Sequence, residues 1–98
     1  MFELKRNELI KTIVDKNGKE VQIRKAIEEL DELKSEMINV QDGNENVRNI
    51  MQEVVDVSVI IKELIYIYDF DMDMLGALLD YKLLRTLYEM RQKELKGE

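Results

Sequence analysis

The chain has 98 residues, no cysteine, histidine or proline, and a formal net charge of −6. One domain spanning residues 1–98 is expected, near the lower limit for an independent core; the missing Cys and His exclude disulfides, thiolate or imidazole zinc sites, cysteine nucleophiles and serine–histidine relays. With 45% hydrophobic and 37% charged residues the composition is that of a soluble folded protein, the lack of proline suits long helices, and the acidic balance disfavours nucleic acid as a partner.

In chain order, Met1 to Ile10 ("MFELKRNELI") has mixed charge and no apolar run of signal-peptide length, and no later stretch is long enough to span a bilayer. A cytoplasmic protein with no membrane partner is expected. Leu9, Ile10, Ile13 and Val14 recur at helical spacing and predict a first helix over Leu4 to Asp15. A hairpin around Asn17-Gly18 is the alternative, disfavoured because a lone two-stranded hairpin is only marginally stable.

From Lys19 to about Val40, the residues Ile23, Ala26, Ile27, Leu30, Leu33 and Met37 form one stripe of a second helix. Asp42-Gly43-Asn44 breaks it. A third helix runs from about Glu45 to Tyr68, and from Val54 onward its apolar residues point in nearly every direction, as in a helix at the centre of a fold. After a break at Asp69 to Asp73, Asp71 or Asp73 caps a fourth helix carrying Leu75, Leu78, Leu79, Leu83, Leu84 and Leu87, with a fraying end at "RQKELKGE". The fold class expected is all-α, a small antiparallel four-helix bundle.

Two acidic clusters fall on this frame: "EELDE", Glu28 to Glu32, on the second helix, and "EVVD", Glu53 to Asp56, on the third. In each, acids three positions apart lie about 60° apart around the axis and project from one face. The spacer between Glu32 and Glu53 is long enough to finish one helix and return antiparallel, so four carboxylates can converge. Crowded carboxylates repel and hold their protons more tightly unless a cation compensates. Oxygen ligands without His or Cys select Mg²⁺ or Mn²⁺, and Mg²⁺ commonly joins carboxylates to substrate phosphates. The plain alternative is a solvated acidic face. Against it, Glu53 and Asp56 open the most apolar helix of the chain.

The order Glu28-Glu29-x-x-Glu32, spacer, Glu53-x-x-Asp56 resembles the EExxE and ExxD signature of the MazG-like nucleoside triphosphate pyrophosphohydrolases, within the all-α NTP pyrophosphatase superfamily. The similarity extends through "QIRKAIEELDEL", "EVVDVSVII" and "DYKLLRTL", from Gln22 to Leu87. The resemblance implies hydrolysis of a nucleoside triphosphate between the α and β phosphates, giving monophosphate and pyrophosphate, with Mg²⁺ as cofactor and Mn²⁺ as a substitute. It makes Glu29, Glu32, Glu53 and Asp56 the metal ligands; Glu28 matches the first motif letter but points further from the shared face, so a place behind the ligands or in a surface pair is expected for it. Glu29 is the choice for the proton acceptor, and Lys82 and Arg85 match the cations that approach the phosphates. The alternative for these two is a surface pairing with Asp80 or Glu89. The resemblance also implies a homodimer or homotetramer, which would cover the third helix. Small members of the family occur in phages and bacteria.

No GxxxxGK[ST] loop is present, which excludes a P-loop NTPase. Phosphoribosyl-ATP pyrophosphohydrolase is the alternative within the superfamily, but its second acidic motif is followed by an aromatic–His pair where this chain has Val57-Ser58-Val59. From other classes, the rivals are a non-catalytic acidic helical interaction module and an acidic mimic of nucleic acid. Tyr66, Tyr68, Tyr81 and Tyr88 are available to stack on a base, although packing is the expected role of most.

Overall fold

Three short interruptions divide the chain into four helices, and each has a local cause. The computed structural model describes residues 3–97. Helix α1 spans Glu3–Asn17, α2 Lys19–Gln41, α3 Val47–Tyr68 and α4 Met72–Leu95, with no strand among the described residues. The all-α class expected from the sequence is the class observed.

Gly18 alone separates α1 from α2, at φ 88°, in the positive-φ region that glycine enters without steric cost. Its N–H still donates to the Val14 carbonyl at 2.8 Å, and its carbonyl accepts from Gln22 at 3.2 Å. The chain therefore changes direction at one residue whose N–H and carbonyl both stay hydrogen-bonded, and α1 continues through Asn17 rather than stopping at Asp15. Between α2 and α3, Gly43 sits at φ 85°, and the Asn44 N–H returns to the Asn39 carbonyl at 2.8 Å. Helix α3 begins at Val47, two residues later than the periodicity predicts, because Asn46 caps it: its Oδ1 accepts from the Asn49 N–H at 3.1 Å.

Asp69 closes α3 in the left-handed region at φ 49°, and Phe70 donates back to Ile65 at 3.1 Å. Asp71, not Asp73, caps α4, accepting from Asp73 and Met74 at 2.9 and 3.1 Å. The charged end expected to fray stays helical through Leu95.

Helices α2 and α3 pack antiparallel, with Gln22 opposite Glu63 and Glu29 and Glu32 opposite Glu53 and Asp56, and α1 lies against both. The small apolar core comprises Ile10 and Val14 of α1, Ala26 of α2 and Ile60 of α3. One buried layer is polar: Asn17 Nδ2 donates to Gln22 Oε1 at 2.9 Å, and Gln22 Nε2 donates to Glu63 Oε2 at 2.7 Å. Gln22 and Glu63 are only 2% and 4% exposed, so their pairing is required; a buried polar group without a partner costs about 1–3 kcal/mol.

Helix α4 packs along none of the other helices among the described residues. It buries no residue. The chain measures 54 × 37 × 28 Å with a radius of gyration of 17.3 Å, against about 13 Å for a compact chain of this length. No described helix is long and apolar enough to cross a membrane.

Candidate metal centre

Glu29 and Glu32 stand one turn apart on α2, and Glu53 and Asp56 one turn apart on α3. Antiparallel packing sets these two turns against each other. Each residue offers one carboxylate oxygen, and the four oxygens lie within 4.8 Å of one another. Glu29 and Glu53 are half-buried, while Glu32 and Asp56 are exposed. The cluster thus opens to solvent on one side. Val57 and Ile60, one and two turns beyond Glu53 on α3, are half-buried and buried.

This crowding has an electrostatic consequence. Glu29 holds its proton more tightly than an ordinary carboxyl, first because burial disfavours the charged form, then because of the charges of Glu32 and Asp56, hydrogen bonding to Glu32, and the charge of Glu53. Glu53 is raised in the same way by burial, by Glu32 and Asp56, by hydrogen bonding to Glu32, and by Glu36. Glu29 Oε2 and Glu53 Oε2 are buried and accept no hydrogen bond. Two orphaned acceptors within a group of four acids are the arrangement a cation relieves.

The donor set is chemically uniform. Four carboxylate oxygens with neither nitrogen nor sulfur suit a hard divalent cation. Oxygens on opposite sides of a Mg²⁺ ion stand about 4.2 Å apart, close to the span of this cluster, so the donor set and its spacing fit such an ion.

All four carboxylates singled out by their spacing are therefore brought together. Glu28 is exposed, outside the cluster, as its position on the helix predicts. Lys82 and Arg85 are not brought to the acids within the chain, because they stand on α4; Arg85 Nε donates instead to Glu89 Oε1 at 2.9 Å, both residues exposed. Of the tyrosines, Tyr66 donates its hydroxyl to Asp15 at 2.7 Å. Tyr68 stacks on Phe70 and lies under the Lys19 ammonium, 4.8 Å from the ring centroid.

Two further features of this interface carry no sequence motif. Glu36 contributes to the field at Glu53, and its place one turn beyond Glu32 on the inward side of α2 is the signal that marks it. The Gln22–Glu63 layer lies seven residues from Glu29 on α2 and seven from Asp56 on α3, two turns down the same interface. No protein-family model, curated protein or solved structure matches the chain.

Proposed function

We propose that this chain is a Mg²⁺-dependent nucleoside triphosphate pyrophosphohydrolase that releases a monophosphate and pyrophosphate. The supporting observation is the convergence of Glu29, Glu32, Glu53 and Asp56 across two antiparallel helices, two of them with buried oxygens that lack any partner. These four residues hold the cation. When bound, Mg²⁺ supplies positive charge to the phosphate oxygens and lowers the pKa of water at the site.

The protein's own groups do the rest. Water oxygen bonds to phosphorus as the bridging P–O bond between the α and β phosphates breaks, and that bond's electron pair leaves with the pyrophosphate. Glu29 accepts the water's proton as the general base. Lys82 and Arg85 neutralise the departing pyrophosphate. Because α4 stands away from the acids of its own chain, these cations serve the carboxylates of another copy, in a homodimer or homotetramer.

The test is incubation of the protein with a panel of canonical and modified (d)NTPs, with Mg²⁺, Mn²⁺ or chelator, followed by chromatography of the products. Metal-dependent appearance of monophosphate and pyrophosphate in equal amounts is expected. No turnover of any triphosphate overturns the hydrolase and favours an acidic helical interaction module. Mn²⁺ binding followed by electron paramagnetic resonance, present in the natural chain and lost in Asp56→Asn, tests the metal centre separately from catalysis.

A further inference from the structure

The two helices that carry the acids meet through contacts of two kinds. Most are apolar: Ala26 and Ile60 are buried, and Ile23, Leu33, Val57 and Leu64 are half-buried on the same two helices. Apolar contact is non-directional, and one aliphatic side chain replaces another at small cost, so it specifies the sliding position of α2 against α3 only weakly. The second kind is the buried hydrogen bond from Gln22 Nε2 to Glu63 Oε2, 2.7 Å long, with Asn17 Nδ2 donating to Gln22 Oε1 at 2.9 Å. A single buried polar pair of this kind selects one helix register over its neighbours.

That register is also the one that builds the cluster. Seven residues lead from Gln22 to Glu29 on α2 and seven from Glu63 back to Asp56 on α3; three more on each lead to Glu32 and Glu53. The polar pair and the acids therefore keep step. A slip of one helical turn, about 5.4 Å, sets Gln22 against Ile60 in one direction and against Ile67 in the other. Gln22 and Glu63 lose each other in both, and the four acids no longer share one layer. The acids also push their helices apart, since Glu29 and Glu53 hold buried oxygens without a partner among like charges. On one side of them the connection through Gly43 joins α2 to α3. On the other side, two turns away, the Gln22–Glu63 bond does so.

We propose that Gln22 and Glu63 are positioning residues: their hydrogen bond fixes the register of α2 on α3 and keeps the helices closed, which brings Glu29, Glu32, Glu53 and Asp56 within reach of one cation. The register half of this inference stands without the metal centre; the cation half rests on it.

The chain has no cysteine, so Lys34→Cys on α2 and Ile61→Cys on α3, both at exposed positions, would carry nitroxides at staggered heights. Pulsed dipolar resonance between them, in labelled chain diluted with unlabelled chain, reads sliding and splaying of the two helices. Mn²⁺ titration by electron paramagnetic resonance on unlabelled protein reads the centre. Gln22→Leu with Glu63→Leu removes both partners and leaves neither orphaned, so thermal stability should hold. The distance should nevertheless shift or broaden by about 5 Å, one turn, and Mn²⁺ affinity should fall about tenfold or more, as when support behind a metal ligand is lost. Exchanging the pair, Gln22→Glu with Glu63→Gln, keeps a donor facing an acceptor at unchanged composition and should keep distance and affinity near those of the natural chain. A merely structural role would move melting temperature without separating the leucine pair from the exchanged pair in either resonance measurement.

An unchanged distance in the leucine pair overturns the proposal, and so does an exchanged pair that folds yet behaves like the leucine pair. An unchanged Mn²⁺ affinity beside a shifted distance overturns the positioning role. If the leucine pair does not fold, Gln22→Ala alone takes its place under the same criteria. A natural chain that binds no Mn²⁺ would remove the metal centre and leave the distances to decide the register.

Discussion

The α2–α3 interface and α4 differ in a way composition hides. Along α2–α3, the inward positions include Gln22, Glu29 and Glu36 on one helix and Glu53 and Glu63 on the other, yet these two helices form the most extensive packing in the described chain. Helix α4 carries Leu75, Leu78, Leu79, Leu83, Leu84 and Leu87 and packs along none of the other described helices. Burial follows from having a partner surface in reach, not from hydrophobicity alone. Gln22 and Glu63 are buried because each satisfies the other, whereas the leucines of α4 stand beyond a connection too short to bring them back. The same comparison separates the two halves of the candidate site: its anionic half is assembled within one chain and its cationic half is not.

The sharpest way to break this contrast is at the carboxylates. Asp56→Asn should abolish triphosphate hydrolysis, by more than the ~10–100-fold that loss of a group behind a metal ligand costs. It should leave the metal-free fold intact or slightly stabilised, because one of four crowded negative charges is gone; steady-state kinetics and thermal melts in chelator check both halves. A fully active variant would remove Asp56 from the site.

Next in size is Ile60→Ala, which deletes buried atoms at the centre of the packed interface and should cost about 2–5 kcal/mol in denaturant unfolding. The matching change on the arm, Leu84→Ala, removes an exposed side chain. It should barely alter stability at concentrations where the chain is dissociated. Equal losses in the two variants would mean that α4 is as deeply packed as α3.

Asn46→Ala removes the side-chain cap of α3 and should lower stability by about 1 kcal/mol, read from the shift in denaturant midpoint. The smallest effect expected is on pH dependence, since both affected acids remain partly solvated. Glu29 and Glu53 bind protons more tightly in the fold than the ordinary value of 4.5. Above that value the folded state therefore holds more protons than the unfolded one, and stability falls as pH rises toward the raised folded values. Metal-free protein should melt higher near pH 5 than near pH 7, and saturating Mg²⁺ should narrow the difference. Glu29→Gln with Glu53→Gln should flatten it; a difference unchanged in that double variant would place its origin elsewhere.

The three breaks and four helices were legible because glycine, asparagine and aspartate announce helix ends by backbone chemistry that acts over a few residues. Errors were confined to ends set by particular hydrogen bonds, such as the Asn46 cap, and to the last turns of α4. The convergence of Glu29, Glu32, Glu53 and Asp56 was legible as well, because spacings of three along each helix and a short antiparallel return leave few other arrangements. The Asn17–Gln22–Glu63 chain was not. Asparagine, glutamine and glutamate read as surface residues until the partner that satisfies them is known, and Gln22 and Glu63 are 41 positions apart.

By itself, then, the sequence determined what acts locally: the helices, the glycine turns, and a carboxylate set without histidine or cysteine whose donors are all hard oxygens. Only the tertiary structure decided which apolar faces found cover. The stripe of Ile27, Leu30 and Met37 on α2 is exposed while Ala26 beside it is buried, and the leucines of α4 share the hydropathy of a core without lying in one. Hydropathy sets the driving force for burial; the direction in which a three-residue connection sends the next helix sets whether the chain can satisfy it alone.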